Sequence, residues 1–484
     1  KGIAGSPYAI KDYYDVDPDL AENIPNRMQE FESLVKRTHE HGLKLLIDFI
    51  PNHVARTYNS DAKPAGVADF GENDNHSVSF DAKNDFYYLP GKSFVVPEGT
   101  NAGGNDFSHS MKDGHFDENP ARATGNNVFS ESPSLNDWSE TIKLNYGIDY
   151  QNHQNHFDPI PPVWTKMRDI LVYWAKKDVD GFRCDVAEMV PVEFWSWVIP
   201  EVKKVKPEIL FIAEAYNPAE YKNFLTTGKF DFLYDKVGLY DGLKRLIKNE
   251  HNADVKDITH VWSVESKGFS SKMVRFLENH DEERIASDGF AKNPWLAKPA
   301  MVVSATLSSS PVMIYFGQEV GEPAHNAEGF GGDDNRTTIF DYWGVPNHQQ
   351  WMNNGAFDGA GLTDDQKSLR NFYKTLLNSV RANAALREGK FIELNNQEHF
   401  SNRSYAYLRF TDDSQTLIIA NFDRDVQLNS NIHLPQDFLS HLKENHKEHV
   451  EFTNLLTGEK FKVDDISKGI PVKVNPSDAW ILSF

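Results

Sequence analysis

The sequence contains little cysteine and relatively few basic residues. Cys184 is the single cysteine among 484 residues, which excludes an internal disulfide. The 50 Lys and Arg residues stand against 71 Asp and Glu residues, so the formal net charge at pH 7 is −21. An acidic chain without a basic stripe repels phosphate backbones and anionic lipid surfaces, so we expect neither nucleic acid nor a membrane as a partner.

Long apolar runs, internal repeats and low-complexity tracts are also absent from the sequence. No run reaches the roughly 18 apolar residues that a membrane helix needs, and the lack of a repeat excludes a solenoid. Hydrophobic residues make up 39% of the chain and charged residues 25%, which is typical of a folded globular protein. A chain of this length predicts two or three domains.

Short apolar segments alternate with amphipathic helical patterns through most of the chain. One segment, LKLLIDF, follows a helical pattern that places Met28, Phe31, Leu34 and Val35 on one face. Near-continuous apolar runs of this kind are typical of buried parallel strands. The predicted strands are residues 43–49, 179–184, 209–213, 230–234, 273–277 and 312–316. The alternation predicts an α/β protein with a parallel sheet.

Two regions depart from this alternation. Residues 54–146 are rich in Gly, Asn, Asp and Ser but hold too many large aromatic residues for a linker, so we predict an irregular inserted subdomain. After residue 388, segments 404–410 and 415–422 flank a polar turn and predict a β-hairpin. Further strands are predicted at 472–474 and 479–484, which together indicate a C-terminal antiparallel β domain.

Carboxylates follow four of the predicted parallel strands at their carboxyl ends. They are Asp48, Asp185, Glu214 and Asp281. In a (β/α) barrel this face of the sheet carries the active site. Any one of them could instead be a helix cap or a structural ion pair, but four at equivalent positions indicate a catalytic centre.

Glycoside hydrolysis with retention of configuration requires such a set. One ionised carboxylate acts as nucleophile, and one protonated carboxyl acts as general acid about 5 Å away. Arg183 lies two residues before Asp185, so strand alternation places both on one face. We expect Arg183 to keep Asp185 ionised, and we expect burial and nearby carboxylates to hold Glu214 partly protonated.

Six sequence motifs occur in a characteristic order. They are DFIPNH (48–53), KLNYG (143–147), GFRCDVAEM (181–189), FIAEAY (211–216), FLENHDEER (276–284) and IYFGQEVGE (314–322). Together they resemble the motifs of glycoside hydrolase family 13, the α-amylase family. Each motif alone is weak, but their order over nearly the whole chain makes the resemblance specific.

The resemblance implies a fold and a reaction. The fold is a (β/α)8 TIM barrel formed by residues 1–53 and 147–387, with an inserted domain at 54–146 and a C-terminal β-sandwich domain at 388–484. The reaction is retaining hydrolysis of α-1,4-glucosidic bonds in starch, maltodextrins or related glucans, with no organic cofactor. By the resemblance, Asp185 is the nucleophile, Glu214 the acid/base and Asp281 the carboxylate that distorts the substrate.

The resemblance also implies substrate-binding residues. His53 and His280 would hydrogen-bond the glucose at the cleavage point, Tyr8 would stack under it, and Arg183 would orient Asp185. The full set of implied substrate-binding residues is Tyr8, Asp48, His53, Arg183, His280 and Arg336. Trp138, Tyr216, Tyr342 and Trp343 are candidate stacking platforms, and core packing is the expected alternative for each.

The sequence departs from the family pattern at two points. Family barrels have eight strands, and six are recognised here, so we expect an N-terminal segment or chain of about sixty residues or more to supply the missing strands. Asn52 matches a calcium ligand of many family members, but Glu188 and Met189 replace a Lys-His pair that often follows the nucleophile. Calcium is therefore possible rather than indicated, and endo-acting specificity is left open.

Two alternative functions remain open at this stage. One is a related enzyme of the same fold: a neopullulanase or cyclodextrinase, an α-1,6-glucosidase or a glucan transferase. The other is a non-catalytic glucan-binding relative, which the complete set of three carboxylates disfavours. A polymeric substrate does not readily cross membranes, so we expect an exported protein (extracellular, periplasmic or at the cell surface), although no signal segment is visible.

Overall fold

The apolar segments in the first half of the chain form a parallel sheet. A computed structural model describes residues 1–100, 108–324, 334–337, 339, 344–442 and 447–484. These residues fall into two compact units: the first is Lys1–Tyr234, and the second holds most of the residues from Asp235 to Phe484. Among the described residues, no helix combines the length and the apolarity needed to span a membrane.

The described residues of the first unit form ten strands and four α-helices. The strands are β1 (Leu46–Phe49), β2 (His53–Ala55), β3 (Tyr88–Leu89), β4 (Ala121–Arg122), β5 (Thr141–Lys143), β6 (Ile148–Asp149), β7 (Gln154–Asn155), β8 (Gly181–Cys184), β9 (Leu210–Ala213) and β10 (Phe232–Tyr234). The helices are α1 (Arg27–Glu40), α2 (Pro162–Lys176), α3 (Val192–Lys203) and α4 (Tyr221–Thr226), with 3-10 turns at Pro18–Leu20, Ile24–Asn26 and Ala187–Met189.

Strands β1, β8, β9 and β10 lie side by side in this order and are all parallel. The register sets Asp48 opposite Arg183, and Cys184 opposite Ala213. Trp195 of α3 is fully buried, and its ring centroid lies 6.5 Å from that of Phe49 on β1. The predicted parallel sheet is therefore present, and its carboxyl ends bring the chemically active side chains to one edge.

The first predicted strand is shorter and less buried than expected. It begins at Leu46 rather than at Leu43, which is 64% exposed, and Phe49 is its one fully buried residue. In the described part of the chain, β1 pairs with β8 on one side, so its side chains have fewer neighbours than those of an inner strand.

The inserted segment, residues 54–146, consists of loops fastened by short antiparallel ladders. Strand β2 pairs with β5, with His53 opposite Lys143, and β3 pairs with β4. Phe94, Val96 and Met111 form a small apolar cluster within the segment. Ile3, near the start of the chain, packs against this cluster.

The second unit contains seven α-helices and nine strands among its described residues. The helices are α5 (Asp241–Lys248), α6 (Lys256–His260), α7 (Lys298–Thr306), α8 (Pro346–Met352), α9 (Asp364–Ala382), α10 (Ala384–Glu388) and α11 (Gln436–His441). The strands are β11 (Met273–Val274), β12 (Lys390–Glu393), β13 (Ser404–Phe410), β14 (Gln415–Asn421), β15 (Leu428–Ile432), β16 (Glu448–Asn454), β17 (Lys460–Asp465), β18 (Ile470–Val474) and β19 (Asp478–Ser483).

Short helical turns complete the second unit. They are π-helical turns at Lys236–Tyr240 and Val261–Glu265, and 3-10 turns at Ser270–Lys272, Pro294–Ala297, Gln318–Val320, Asn353–Gly355 and Ile466–Lys468. Helix α9 begins at a capping box, in which the Thr363 hydroxyl accepts from the Gln366 N–H and the Gln366 side chain accepts from the Thr363 N–H.

The end of the chain forms antiparallel sheets, as the hairpin pattern predicts. Six strands lie in the order β12-β13-β14-β19-β16-β17, and β15 pairs separately with β18. Leu408 and Ile419 from the larger sheet share a core with Val472 from the smaller one. The opposite face of the larger sheet packs against α7 and α9 through residues such as Tyr407. Both faces of this sheet are therefore covered.

The predicted strand at residues 312–316 does not form as a strand. It is reduced to one parallel bridge between Arg275 and Val312, held by the Arg275 N–H to Pro311 and by the Met313 N–H to Arg275. The chain then turns, because the Gln318 N–H bonds the Tyr315 carbonyl. The turn withdraws the next residues from the ladder.

Candidate active site

Arg183 is the centre of a cluster of carboxylates in the first unit, of which Asp185 and Glu214 are buried and Asp48 is exposed. Arg183 lies on β8 and is 6% exposed. Its Nη1 donates to Asp185 Oδ1 over 2.8 Å and lies 3.7 Å from Asp48 Oδ2. Its Nη2 lies 2.8 Å from Glu214 Oε1 as an ion pair, and its Nε donates to the Tyr234 hydroxyl over 3.2 Å. One guanidinium thus lies within ion-pair distance of three carboxylates at the ends of neighbouring strands.

The acids outnumber the base in this cluster, which affects protonation. Asp185 is 7% exposed and Glu214 is 2% exposed. Burial raises the pKa of Asp185 well above its usual range, the charges of Glu214 and Asp48 act in the same direction, and Arg183 opposes them. The expectation that Arg183 keeps Asp185 ionised is therefore wrong for the protein without substrate, because burial and the neighbouring acids outweigh the guanidinium. The surplus of acids favours the protonated form of Asp185 in the absence of substrate.

The backbone after Asp185 fixes the position of Glu214. Val186 has φ 35° and ψ 48°, a left-handed conformation that is rare for a β-branched residue. In this conformation its N–H donates to Glu214 Oε2 over 2.6 Å. The Tyr216 hydroxyl donates to the other oxygen, Oε1. Strain of this kind is typical of functional sites, and here it orients one carboxyl of the cluster.

Tyr8 and His53 border the same cluster. The Tyr8 hydroxyl donates to Asp48 Oδ2 over 2.7 Å, and the Tyr8 ring centroid lies 5.9 Å from the Arg183 guanidinium. Burial lowers the pKa of His53 to about 3, and the charge of Lys143 acts in the same direction. The His53 imidazole is therefore neutral at ordinary pH and can both donate and accept a hydrogen bond.

Trp138 is exposed rather than part of the core. Its side chain is 40% exposed, and its ring centroid lies 5.3 Å from that of His53. The expectation of core packing is wrong for this residue, since it sits on the loop before β5. Tyr342 and Trp343 lie outside the described residues.

Glu140 fastens the segment that carries Tyr8. Its Oε1 accepts from the Ala4 N–H over 2.5 Å, and a Cβ on Gly2 would lie 2.1 Å from the same oxygen. Burial raises the pKa of Glu140 to about 7, and the backbone N–H groups of residues 4–6 oppose this. Sequence reasoning missed this residue, because a carboxylate inside an irregular loop gives no periodic signal.

Asn52 does not sit in a metal-like set of ligands. Its Nδ2 donates to the Gly125 carbonyl over 2.8 Å, and its Oδ1 accepts from the Lys143 ammonium. Lys143 Nζ also donates to the Met189 carbonyl over 3.0 Å. Calcium needs six to eight oxygens. Two oxygens that already bind an ammonium do not fit a calcium site.

Lys143 was missed as a site residue from sequence, although it opens the KLNYG motif. Its side chain is 2% exposed, and burial lowers its pKa to about 7. Its hydrogen bonds to Asn52 and Met189 favour the charged form. Among the described residues, no group of three or more His, Cys, Asp and Glu side chains could hold a metal ion.

The remaining predicted site residues lie in the second unit. Asp281 and His280 come shortly after β11, with His280 Nε2 3.2 Å from Asp281 Oδ2. The Asp281 N–H donates to Asn279 Oδ1 over 2.8 Å. Arg336 forms an ion pair with Asp334 through its Nη2. The first unit thus assembles Tyr8, Asp48, His53, Arg183, Asp185 and Glu214, while the second holds His280, Asp281 and Arg336.

Tyr234 and Tyr216 are further members of the cluster. Tyr234 ends β10, at the same edge as the carboxylates, and this position was the signal that could have identified it. Tyr216 lies two residues after Glu214, and it acts here as a hydrogen-bond donor to that carboxyl.

Comparison with known proteins relates this arrangement to one family. The family model of the alpha-amylase catalytic domain matches residues 4–389. Alpha-amylase 3 of Dictyoglomus thermophilum is 24% identical over 448 residues, which covers 86% of this chain and 74% of that protein. A cyclomaltodextrinase of Bacillus sp. is 24% identical over 431 residues, covering 88% of this chain and 61% of that protein.

Solved structures show the fold. A noncanonic maltogenic alpha-amylase AmyB from Thermotoga neapolitana superposes with a TM-score of 0.64 at 20% identity, covering 100% of this chain and 86% of that chain. The likeness and the family match confirm the predicted fold class, a TIM barrel with a C-terminal antiparallel β domain.

Proposed function

Because the chain belongs to the alpha-amylase family of glycoside hydrolases, we propose that it hydrolyses α-1,4-glucosidic bonds in starch, maltodextrins or related glucans with retention of configuration. The observation that carries the proposal is the bridging of Asp185 and Glu214 by the single guanidinium of Arg183. Retaining glycosidases need two closely spaced carboxyl groups, one charged and one protonated.

The proposed reaction assigns one role to each acid. Asp185 attacks the anomeric carbon while Glu214 passes its proton to the departing glycosidic oxygen, which breaks the C–O bond and leaves a glycosyl ester on Asp185. Glu214, now a carboxylate, then removes a proton from water, and the water oxygen displaces Asp185 from the same carbon. The proposed role of the third acid, Asp281, is to stabilise the distorted sugar ring.

Two aromatic residues supply the proposed sugar contacts. Tyr8 is fixed at its hydroxyl by Asp48, so its ring presents a rigid face of the kind that packs against sugar C–H groups. Trp138 offers a second, exposed face beside His53. The neutral His53 ring bonds a sugar hydroxyl without introducing a charge.

Cyclodextrin hydrolysis is the second candidate, because the relative named cyclomaltodextrinase matches over 88% of this chain. The division into a barrel (1–53 and 147–387), an inserted domain (54–146) and a C-terminal β-sandwich domain (388–484) remains part of the proposal. So does export from the cell, which a polymeric substrate favours.

The test is reducing-sugar release by the full-length protein from soluble starch, pullulan and β-cyclodextrin. We expect wild-type protein to release maltooligosaccharides and Asp185→Asn to lose at least about 10³-fold in kcat/KM. The matched control is Asp180→Asn, since Asp180 precedes the same strand at its other end, where it bonds the Leu45 N–H. The control retains activity at low temperature. A folded wild-type protein that is inactive on all three substrates would refute the proposal.

A further inference from the structure

The buried ammonium of Lys143 joins three separate parts of the first unit. Lys143 ends β5, at the close of the inserted segment. Its Nζ donates to Asn52 Oδ1, on the loop between β1 and β2, and to the Met189 carbonyl. Met189 closes the 3-10 turn Ala187–Met189, which begins two residues after Asp185. The contacts therefore reach both loops that carry site residues.

We propose that Lys143 is a built-in cation that takes the place of a divalent metal ion in fastening the inserted segment to the loops bearing His53 and Asp185. An ion at this position has to attract oxygens from several chain segments at once. The ammonium of a lysine has three N–H donors, so a lysine side chain can bind oxygens from several segments without a bound ion. Lys143 is thus a positioning residue for the turn after Asp185.

The orientation of the Asn52 amide supports this assignment. Its Nδ2 is committed to the Gly125 carbonyl, which directs Oδ1 at the ammonium. Asn52 is fully buried, so an oxygen left without a donor would be costly. Asn52 directly precedes His53, which pairs with Lys143 in the β2–β5 ladder, so the hydrogen bond from Lys143 to Asn52 and the strand pairing reinforce each other.

The same contacts argue against a metal ion at this position. Both candidate oxygen ligands, Asn52 Oδ1 and the Met189 carbonyl, already accept from the ammonium. A divalent cation beside a buried ammonium would be repelled strongly, because like charges a few Å apart interact at low effective dielectric. We therefore infer that neither folding nor activity depends on calcium.

The experiment measures thermal unfolding at pH 6, where the ammonium is charged, in EDTA and in millimolar CaCl₂. We expect the Tm of wild-type protein to be the same in both. Lys143→Met leaves two buried acceptors unpaired, and we expect its Tm to fall by about 5 °C. The matched control is Lys166→Met, which also removes an ammonium that reaches the inserted segment, at Asp69 and Asp85, but leaves Asn52 and Met189 untouched.

The response of Lys143 variants to added calcium distinguishes a lysine that replaces a metal ion from one with only a structural role. Lys143→Asp places a carboxylate beside two oxygens that have lost their donor, and we expect calcium to raise its Tm and to restore its kcat. Neither Lys143→Met nor Lys166→Met can gain such a response, since neither adds an oxygen. If Lys143 positions the turn after Asp185, calcium should restore the kcat of Lys143→Asp and leave its KM unchanged.

Two results would overturn the proposal. One is a wild-type Tm that falls in EDTA and recovers with calcium, which would assign the cation role to a metal. The other is a Lys143→Met variant whose Tm and kcat match those of wild type. Tm is measured without substrate, so an unchanged Tm of Lys143→Met is by itself sufficient to overturn the proposal, whether or not the protein hydrolyses α-glucans.

Discussion

Two clusters in the first unit contain arginines and acidic residues in opposite proportions. In one, Arg183 is surrounded by three carboxylates, those of Asp48, Asp185 and Glu214. In the other, within the inserted segment, Glu118 alone accepts from Arg56 over 2.6 Å and from Arg122 over 2.7 Å.

The carboxyl groups of the two clusters respond in opposite directions. Burial raises the pKa of both Asp185 and Glu118. For Glu118, the two guanidinium charges outweigh burial and the net pKa is lowered. For Asp185, the neighbouring acids add to burial and the pKa is raised. Because burial acts in the same direction on both carboxyls, the neighbouring charges decide whether the pKa is raised or lowered overall.

Removing an acid from the acid-rich cluster gives the largest expected effect, and the effect is on activity. We expect Glu214→Gln to reduce kcat/KM on starch about 10³- to 10⁴-fold, since it removes the proton donor. The Gln side chain keeps one oxygen that can accept from the Val186 N–H, and its NH2 group can donate to the Tyr216 hydroxyl. Because the change relieves surplus negative charge, Tm should stay equal or rise. Steady-state kinetics with thermal melts measures both, and a falling Tm with retained activity would contradict the comparison.

Removing the acid from the base-rich cluster should reverse this result. Glu118→Gln leaves Arg56 and Arg122 without their counter-ion, and we expect a loss of about 3–5 kcal/mol in the free energy of unfolding at pH 7. Urea denaturation measures it. Glu131→Gln, which removes an exposed partner of Lys92, is the control and should leave the midpoint unchanged.

The pH dependence of Glu118→Gln follows from the lowered pKa of Glu118. The stabilisation by the charged Glu118 is present above the ordinary carboxyl pKa of about 4.3 and is lost as pH falls through the lower native value. The difference between wild type and variant should therefore shrink below about pH 4. A difference that is independent of pH would show that lost charge is not its cause.

The smallest of these effects concerns Glu140, a buried acid without a guanidinium. Its pKa of about 7 in the folded protein exceeds the ordinary 4.3, so its contribution to stability is complete below about pH 4.3 and is lost as pH rises through 7. Relative to Glu140→Gln, wild type should lose about 3 kcal/mol between pH 4 and pH 8. Urea midpoints at several pH values test this, and parallel curves for the two proteins would exclude it.

Sequence reasoning predicted the acid-rich cluster more readily than the base-rich one. Asp48, Asp185 and Glu214 end apolar strands, and strand order with alternation places such residues at one edge of a sheet. The motifs also fix the order in which they occur. The parallel sheet and the terminal hairpin were predictable for the same reason, because their periodicity is local.

The contacts of the inserted segment could not be predicted in this way. Lys143 meets Asn52 and Met189, which are 91 and 46 residues away in sequence. Such contacts depend on the tertiary path of an irregular segment, and no periodic pattern in the sequence predicts that path. The exposure of Trp138 and the shortening of the predicted strand at 312–316 have the same origin, since tertiary turns override local preference.

The most direct test of the central claim is to trap the intermediate on Asp185. Full-length wild-type protein is treated with 5-fluoro-α-D-glucosyl fluoride, digested and analysed by peptide mass spectrometry. The account predicts one glycosyl adduct on the peptide that contains Asp185, present in Asp180→Asn and absent in Asp185→Asn. An adduct on another carboxylate, or no adduct with a first product of β configuration, would contradict it.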